Sequence, residues 1–312
     1  MGIFDRLYYG KAGKRDYSEM DMPKTRLSLF FLVLKDRLFD LIKVNFLQLL
    51  FWIPFMVWTF INVAAIQSLG AEEVPTPEAL SAMRSYLFMW LVGLVPCIAI
   101  TGPSSAGAAY VMRNWARDQH AYLWSDFKDA FLHNWKQALP VSVLTSLVPL
   151  VAYTAIQYYG GQSRQNPILF IPLAIVFMAV LLFTLMLPLL YPMMIGYELS
   201  LGNIFRNAFL MASASLPKMI LCRLITFVPV LGLALGLFLG SPAVLMVLSL
   251  YYVLFGFAFS RLVYASFAND LFDKYLNPRI EGAQVGQGLR PRDADELDEE
   301  DEEEEEEDGD DA

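Results

Sequence analysis

The chain has little of what metal and redox sites are built from: two cysteines and two histidines in 312 residues. Cys97 and Cys222 are far apart and each lies inside an apolar run, so they offer no disulfide framework or paired thiol ligands. Both are expected to act as small buried residues. His120 and His133 stand apart with no Glu at metal-site spacing, which argues against a helical zinc motif. A nucleophile elbow, a phosphate-binding loop and a carboxylate pair inside an apolar segment are also missing. No catalytic residue, cofactor, metal or nucleic-acid partner is therefore expected. Residues 1–26 are polar and basic, without the apolar stretch of a signal peptide, and Arg6 stands where myristoylation needs Ser or Thr.

What is present is apolar. Hydrophobic residues make up 56% and aromatics 14%, outside the range of soluble domains. The net charge of −9 hides two opposite parts, because half of the 32 acidic residues fall between Asp293 and Asp311 with no Lys or Arg among them. Residues 1–292 therefore carry 23 basic and 16 acidic residues, a net of +7. Residues 1–282 are expected to be a basic membrane domain, and residues 283–312 a disordered acidic tail.

Six charge-poor runs are long enough to cross a bilayer, about residues 44–67, 86–101, 139–159, 168–195, 219–239 and 243–267. Amphipathic stretches at 24–43, 122–138 and 199–215 carry apolar residues at three- and four-residue spacing and are expected to lie flat in the interface. Two of them share a pattern: Phe127-Lys128-Asp129-Ala130-Phe131-Leu132 recurs in type as Phe205-Arg206-Asn207-Ala208-Phe209-Leu210, with Lys35-Asp36-Arg37-Leu38-Phe39 as a looser copy. The expected fold is all-α: a polytopic membrane protein of six spans, arranged as three repeated units of an interfacial helix followed by a helical hairpin. Of the 23 Lys and Arg, only Arg84 and Arg164 fall on the face opposite both termini. The termini are accordingly expected in the cytoplasm of a bacterial plasma membrane.

Candidate polar positions are few, and each has a structural alternative. Arg223, four residues into the fifth run, is expected to snorkel to the inner headgroups, with a cavity role as the alternative. Glu198 has Arg206 or Arg223 as a pairing partner in an interfacial ion pair. Asn62 and Gln67 are read as hydrogen-bond partners between helices. Gly102 and Pro103 open a small-residue stretch suited to close helix packing or a break between helices. Gly232 and Gly236 form a Gly-x-x-x-Gly stripe, read first as packing within the chain and second as the seam of a homo-oligomer.

The block Gly102-Pro103-Ser104-Ser105-Ala106, then Tyr110-Val111-Met112-Arg113, then Asp126-Phe127 through Trp135-Lys136, resembles the signature region of the YesL-like membrane proteins of Gram-positive bacteria. The opening Met1-Gly2-Ile3-Phe4-Asp5 and the closing Tyr275-Leu276-Asn277-Pro278-Arg279-Ile280 are similar too, so the resemblance runs from residue 1 to about Gly282. It implies a six-span domain of unassigned activity, whose genes often lie beside carbohydrate uptake transporters and polysaccharide-degrading enzymes. It supplies no ligand or catalytic residue for this chain. The expectation is a non-enzymatic accessory or scaffold protein of carbohydrate uptake, with the lipid bilayer and an ABC-type sugar transporter permease as partners. A small-solute transporter or channel is the alternative.

Overall fold

The computed structural model describes residues 22–69 and 76–291, which are helical with no strand among them. Helix α1 (Arg26–Asp36) starts at a capping box, where Thr25 and Ser28 bond each other's backbone N–H. It buries Leu29 and Val33 and leaves Leu27 and Phe31 exposed. The chain turns at Arg37, so the amphipathic helix is shorter than the expected 24–43. Residues from Leu38 already belong to α2 (Leu38–Leu69), the first long helix. Helix α3 (Pro77–Ala99) begins nine residues before the expected 86, because Thr76 caps it, Pro77 fits its first turn and Glu78 suits its positive N-terminal dipole. The acidic loop residues Glu72 and Glu73 lie outside the described residues, as do the side chain of Gln67 and residues 1–21.

Helix α4 (Thr101–Trp115) is the centre of the molecule. All of its residues except Tyr110 and Arg113 are buried. It packs against α2, α3, α5 (Leu123–Ala155), α6 (Phe170–Gly196) and α10 (Phe257–Tyr275). Small side chains make this approach possible. A Cβ on Gly102 would sit 2.4 Å from Ser142 Oγ and 2.6 Å from the Ala138 carbonyl, and one on Gly107 would sit 2.7 Å from the Phe127 carbonyl.

Two expected boundaries are absent. Residues 122–138 and 139–159 form one helix, α5, ending in a π turn at Ile156–Gly160, and neither Pro140 nor Pro149 breaks it. Such prolines are tolerated where neighbouring helices and hydroxyl side chains hold the freed backbone groups. By contrast, the second copy of the pattern forms a separate helix, α7 (Leu201–Ala214), capped by Ser200 and broken from α8 (Leu216–Phe238) at Ser215. The sixth run begins as α9 (Pro242–Tyr251), bulges through a π turn at Tyr252–Gly256 and continues as α10 to Tyr275, instead of ending at 267.

Among the described residues, six helical segments are long and apolar enough to cross a membrane: Leu38–Ile66, Pro77–Ala99, Leu123–Gly160, Pro167–Gly196, Leu216–Leu237 and Pro242–Arg279. Their outward surfaces carry large apolar side chains, among them Phe39, Phe60, Ile168 and Met246, each more than two-thirds exposed. A surface of this kind requires an apolar surrounding.

The expected disordered tail does not begin at 283. Residues 277–291 run as a strap over one end of the bundle, with Leu289 against the core and Arg290 buried. The Arg290 N–H donates to the Pro23 carbonyl at 3.2 Å. Gly288 has φ +81°, and a Cβ there would meet the Arg117 carbonyl at 2.6 Å, so only glycine lets the strap pass this closely. The acidic residues from Asp293 onward lie outside the described residues.

Candidate functional site

Beside the strap is an open cavity of about 790 Å³ lined by Tyr110, Arg113, Arg117, His120, Tyr197 and Asn277, with strap residues such as Gln284 and Gln287 along one side. The sequence builds it at helix ends. Tyr110, Arg113 and Arg117 follow one another at three and four residues along α4 and the turn after it, so they share a face. Arg113 stands in the last turn of α4, where the helix dipole favours a cation. Its guanidinium lies over Gly196 at the end of α6, where a Cβ would come within 2.9 Å of Nε.

A hydrogen-bonded chain braces the wall. Tyr197 donates to Asn277 Oδ1 at 2.6 Å, and Asn277 Nδ2 donates to Asp273 at 2.6 Å. Asp273 pairs in turn with Arg26. The other end of Arg26 donates to the carbonyls of Ala116 at 3.1 Å and Gln287 at 2.8 Å, which ties α1, the turn after α4 and the strap together. Arg113 and Arg117 take no part: neither makes a hydrogen bond or ion pair among the described residues, and Arg113 Nε is buried without a partner. Burial, reinforced by Arg117, lowers Arg113 to about 10, and burial lowers Arg117 as well, opposed by Asp273. Both remain cationic at neutral pH. Burial raises the Tyr197 hydroxyl, against the pull of the two arginines.

Across Tyr110, Gly196 and Tyr197 lies a second groove that includes Asp126, Asp129, His133, Lys136 and Glu198. The carboxylates thus stand on one side of Tyr197 and the two unpaired guanidinium groups on the other.

The sequence candidates are scattered rather than gathered here. Glu198 is exposed in the second groove and pairs with neither Arg206 nor Arg223, so the expected ion pair is not formed. Arg206 is exposed on α7. Arg223 donates to the Tyr264 hydroxyl at 2.5 Å, and that hydroxyl donates to Thr226 Oγ1 at 3.3 Å. Asn62 bonds the Trp58 carbonyl of its own helix at 2.8 Å, not another helix. Gly102 and Pro103 are buried where α4 meets α5. Gly232 and Gly236 face Leu248, Val244 and Leu245 of the same chain, so that stripe is already covered.

Several polar groups were not singled out by sequence reasoning. Arg261 lies within the sixth spanning segment, donates to Ser105 Oγ at 2.6 Å and sits 4.9 Å from the Tyr191 ring centroid, with no carboxylate partner among the described residues. Asn45 is fully buried and serves the π turn of the last span. Its Nδ2 donates to the carbonyls of Tyr252 and Val253, and its Oδ1 accepts from the N–H groups of Phe257 and Ala258, all at 2.8–3.1 Å. Gln48, one turn on, is equally buried, yet neither atom of its amide has a partner. The available signals were two amides three residues apart in a charge-free run, and two arginines four apart after a small-residue helix.

Helices of this length and surface define a polytopic helical membrane protein with a polar basin at one end of the bundle. Residues 81–156 match the model of a family described as "Protein of unknown function, DUF624". The match takes in most of α3, the buried α4 and all of α5. No curated protein and no solved structure matches the chain.

Proposed function

We propose that this is a non-enzymatic accessory protein of carbohydrate uptake in a bacterial plasma membrane, acting through its basin end on a partner sugar permease. The carrying observation is the gathering of Arg26, Arg113, Arg117, Asp273 and Asn277 at one end of six largely apolar helices. A polar face of this kind suits contact with an aqueous partner. The excess of basic residues there supports a cytoplasmic placement for it and for both termini. The link to carbohydrate uptake rests on the resemblance to the YesL-like proteins, with which the family match is compatible. Equivalence of the two clear pattern copies is supported by Ala130 and Ala208, both buried, and by Leu132 and Leu210, both exposed. Three duplicated units remain part of this reading.

Purification of the full chain from native membranes in mild detergent tests the proposal. Co-purification of a sugar permease component is expected, and its absence would count against the accessory role. Labelling of single cysteines introduced at Arg117 and Arg84 tests the orientation: access from opposite sides is expected, with Arg117 on the cytoplasmic side. A small-solute transporter is favoured by one observation, the polar groups around Arg223, Tyr264, Arg261 and Ser105 inside the bundle. Solute flux into liposomes holding the purified chain would select that reading.

A further inference from the structure

We propose that the cavity beside the strap binds the phosphoryl group of a phosphate ester, with Arg113 and Arg117 as its anchors. The two guanidinium groups face one space and are not spent on anything else in the described protein. No Asp or Glu lines that space. The nearest acting carboxylate, Asp273, is committed to Arg26 and Asn277, and Asp118 in the adjoining turn is exposed and outside the lining. Two cations left unneutralised in a part-buried site are costly, and a bound anion removes that cost. A phosphate monoester carries close to two charges and several acceptor oxygens, which matches two planar forks of N–H donors. A carboxylate would neutralise only one of them.

The remaining lining suits the rest of an ester. Tyr110 and His120 add polar contacts near the arginines, and Asn277, Gln284 and Gln287 offer uncharged hydrogen-bonding groups. At about 790 Å³ the cavity falls within the size range of small-molecule sites, larger than a bare ion needs. The phosphoryl group has two sources: a soluble ester from the aqueous side, or the headgroup of an anionic lipid at the membrane surface.

The test uses the purified full chain in nanodiscs of phosphatidylcholine and reads the melting temperature. One arm adds glycerol 3-phosphate; the other replaces part of the lipid with phosphatidic acid, whose headgroup is likewise a phosphate monoester. Sodium acetate at matched ionic strength is the reference. A saturable rise above the acetate reference in the first arm identifies a soluble ester, and in the second a lipid headgroup. A rise in both means that the site accepts either source. Arg113→Gln and Arg117→Gln should each weaken the response at least tenfold. Gly196→Ala should also weaken it, because the new methyl displaces the Arg113 guanidinium without removing charge. Arg206→Gln, at an exposed arginine outside the lining, should leave it unchanged. If Arg113→Gln does not fold, Arg117→Gln carries the comparison, since Arg117 is only half-buried. The proposal is overturned if neither arm exceeds acetate, or if the response survives in Arg117→Gln.

Discussion

Replacing Asn45 with leucine removes four hydrogen bonds between the first and last spans while keeping the branching of the side chain. Two carbonyls, of Tyr252 and Val253, and two N–H groups, of Phe257 and Ala258, lose the amide that serves them. These are the groups that a π turn leaves without regular helical partners, and α2 supplies Asn45 to meet them. Hydrogen bonds between membrane helices average about 0.6 kcal/mol each, and those in soluble proteins about 1 kcal/mol, so four amount to about 2.5–4 kcal/mol. The assay is reversible unfolding of the full chain in mixed micelles by added sodium dodecyl sulfate, followed by far-ultraviolet circular dichroism. Asn62→Leu is the comparison, since Asn62 bonds only the Trp58 carbonyl one turn back in its own helix. It should cost about 0.5 kcal/mol or less. The reasoning is refuted if Asn45→Leu is as stable as the parent chain, or if Asn62→Leu is equally destabilising. Asn45→Asp keeps one acceptor but sets a second against two carbonyls, and should lose at least as much as Asn45→Leu.

Gln48→Met should raise stability in the same assay by about 1–2 kcal/mol, because it replaces a buried amide that has no partner. Gly102→Ala should cost about 1–3 kcal/mol, since its methyl would press on the Ala138 carbonyl and Ser142. Gly202→Ala, with open space at its Cβ, should be neutral or slightly stabilising. Gly288→Ala meets both an unfavourable φ and the Arg117 backbone, and should speed tryptic cleavage at Arg279 several-fold. Gly282→Ala, with a similar φ of +76° but no neighbour, should have a smaller effect.

Composition and run length made the all-helical class and six spans legible, because crossing lipid needs long apolar helices whatever their detailed sequence. Boundaries were less legible. Proline usually ends a helix in water, yet Pro140 stays inside α5, where the small face of α4 packs against Ala138 and Ser142. Copies of one six-residue pattern therefore came to different ends, one inside a continuous helix and one as a helix of its own. The basin was harder still. Asn62 and Asn45 look alike in the sequence, and only the bulge of a helix some two hundred residues away separates them. Arg113 and Arg117 look like ordinary cytoplasmic charges until Gly196 and the strap come to lie beside them.

The bond between the Arg290 N–H and the Pro23 carbonyl fastens the two ends of the described domain to each other. The lysine- and arginine-bearing residues before it and the sixteen acidic ones after it thus depart from neighbouring anchor points. Loosening the domain at either end, at Pro23 or at Arg290, should therefore loosen it at the other.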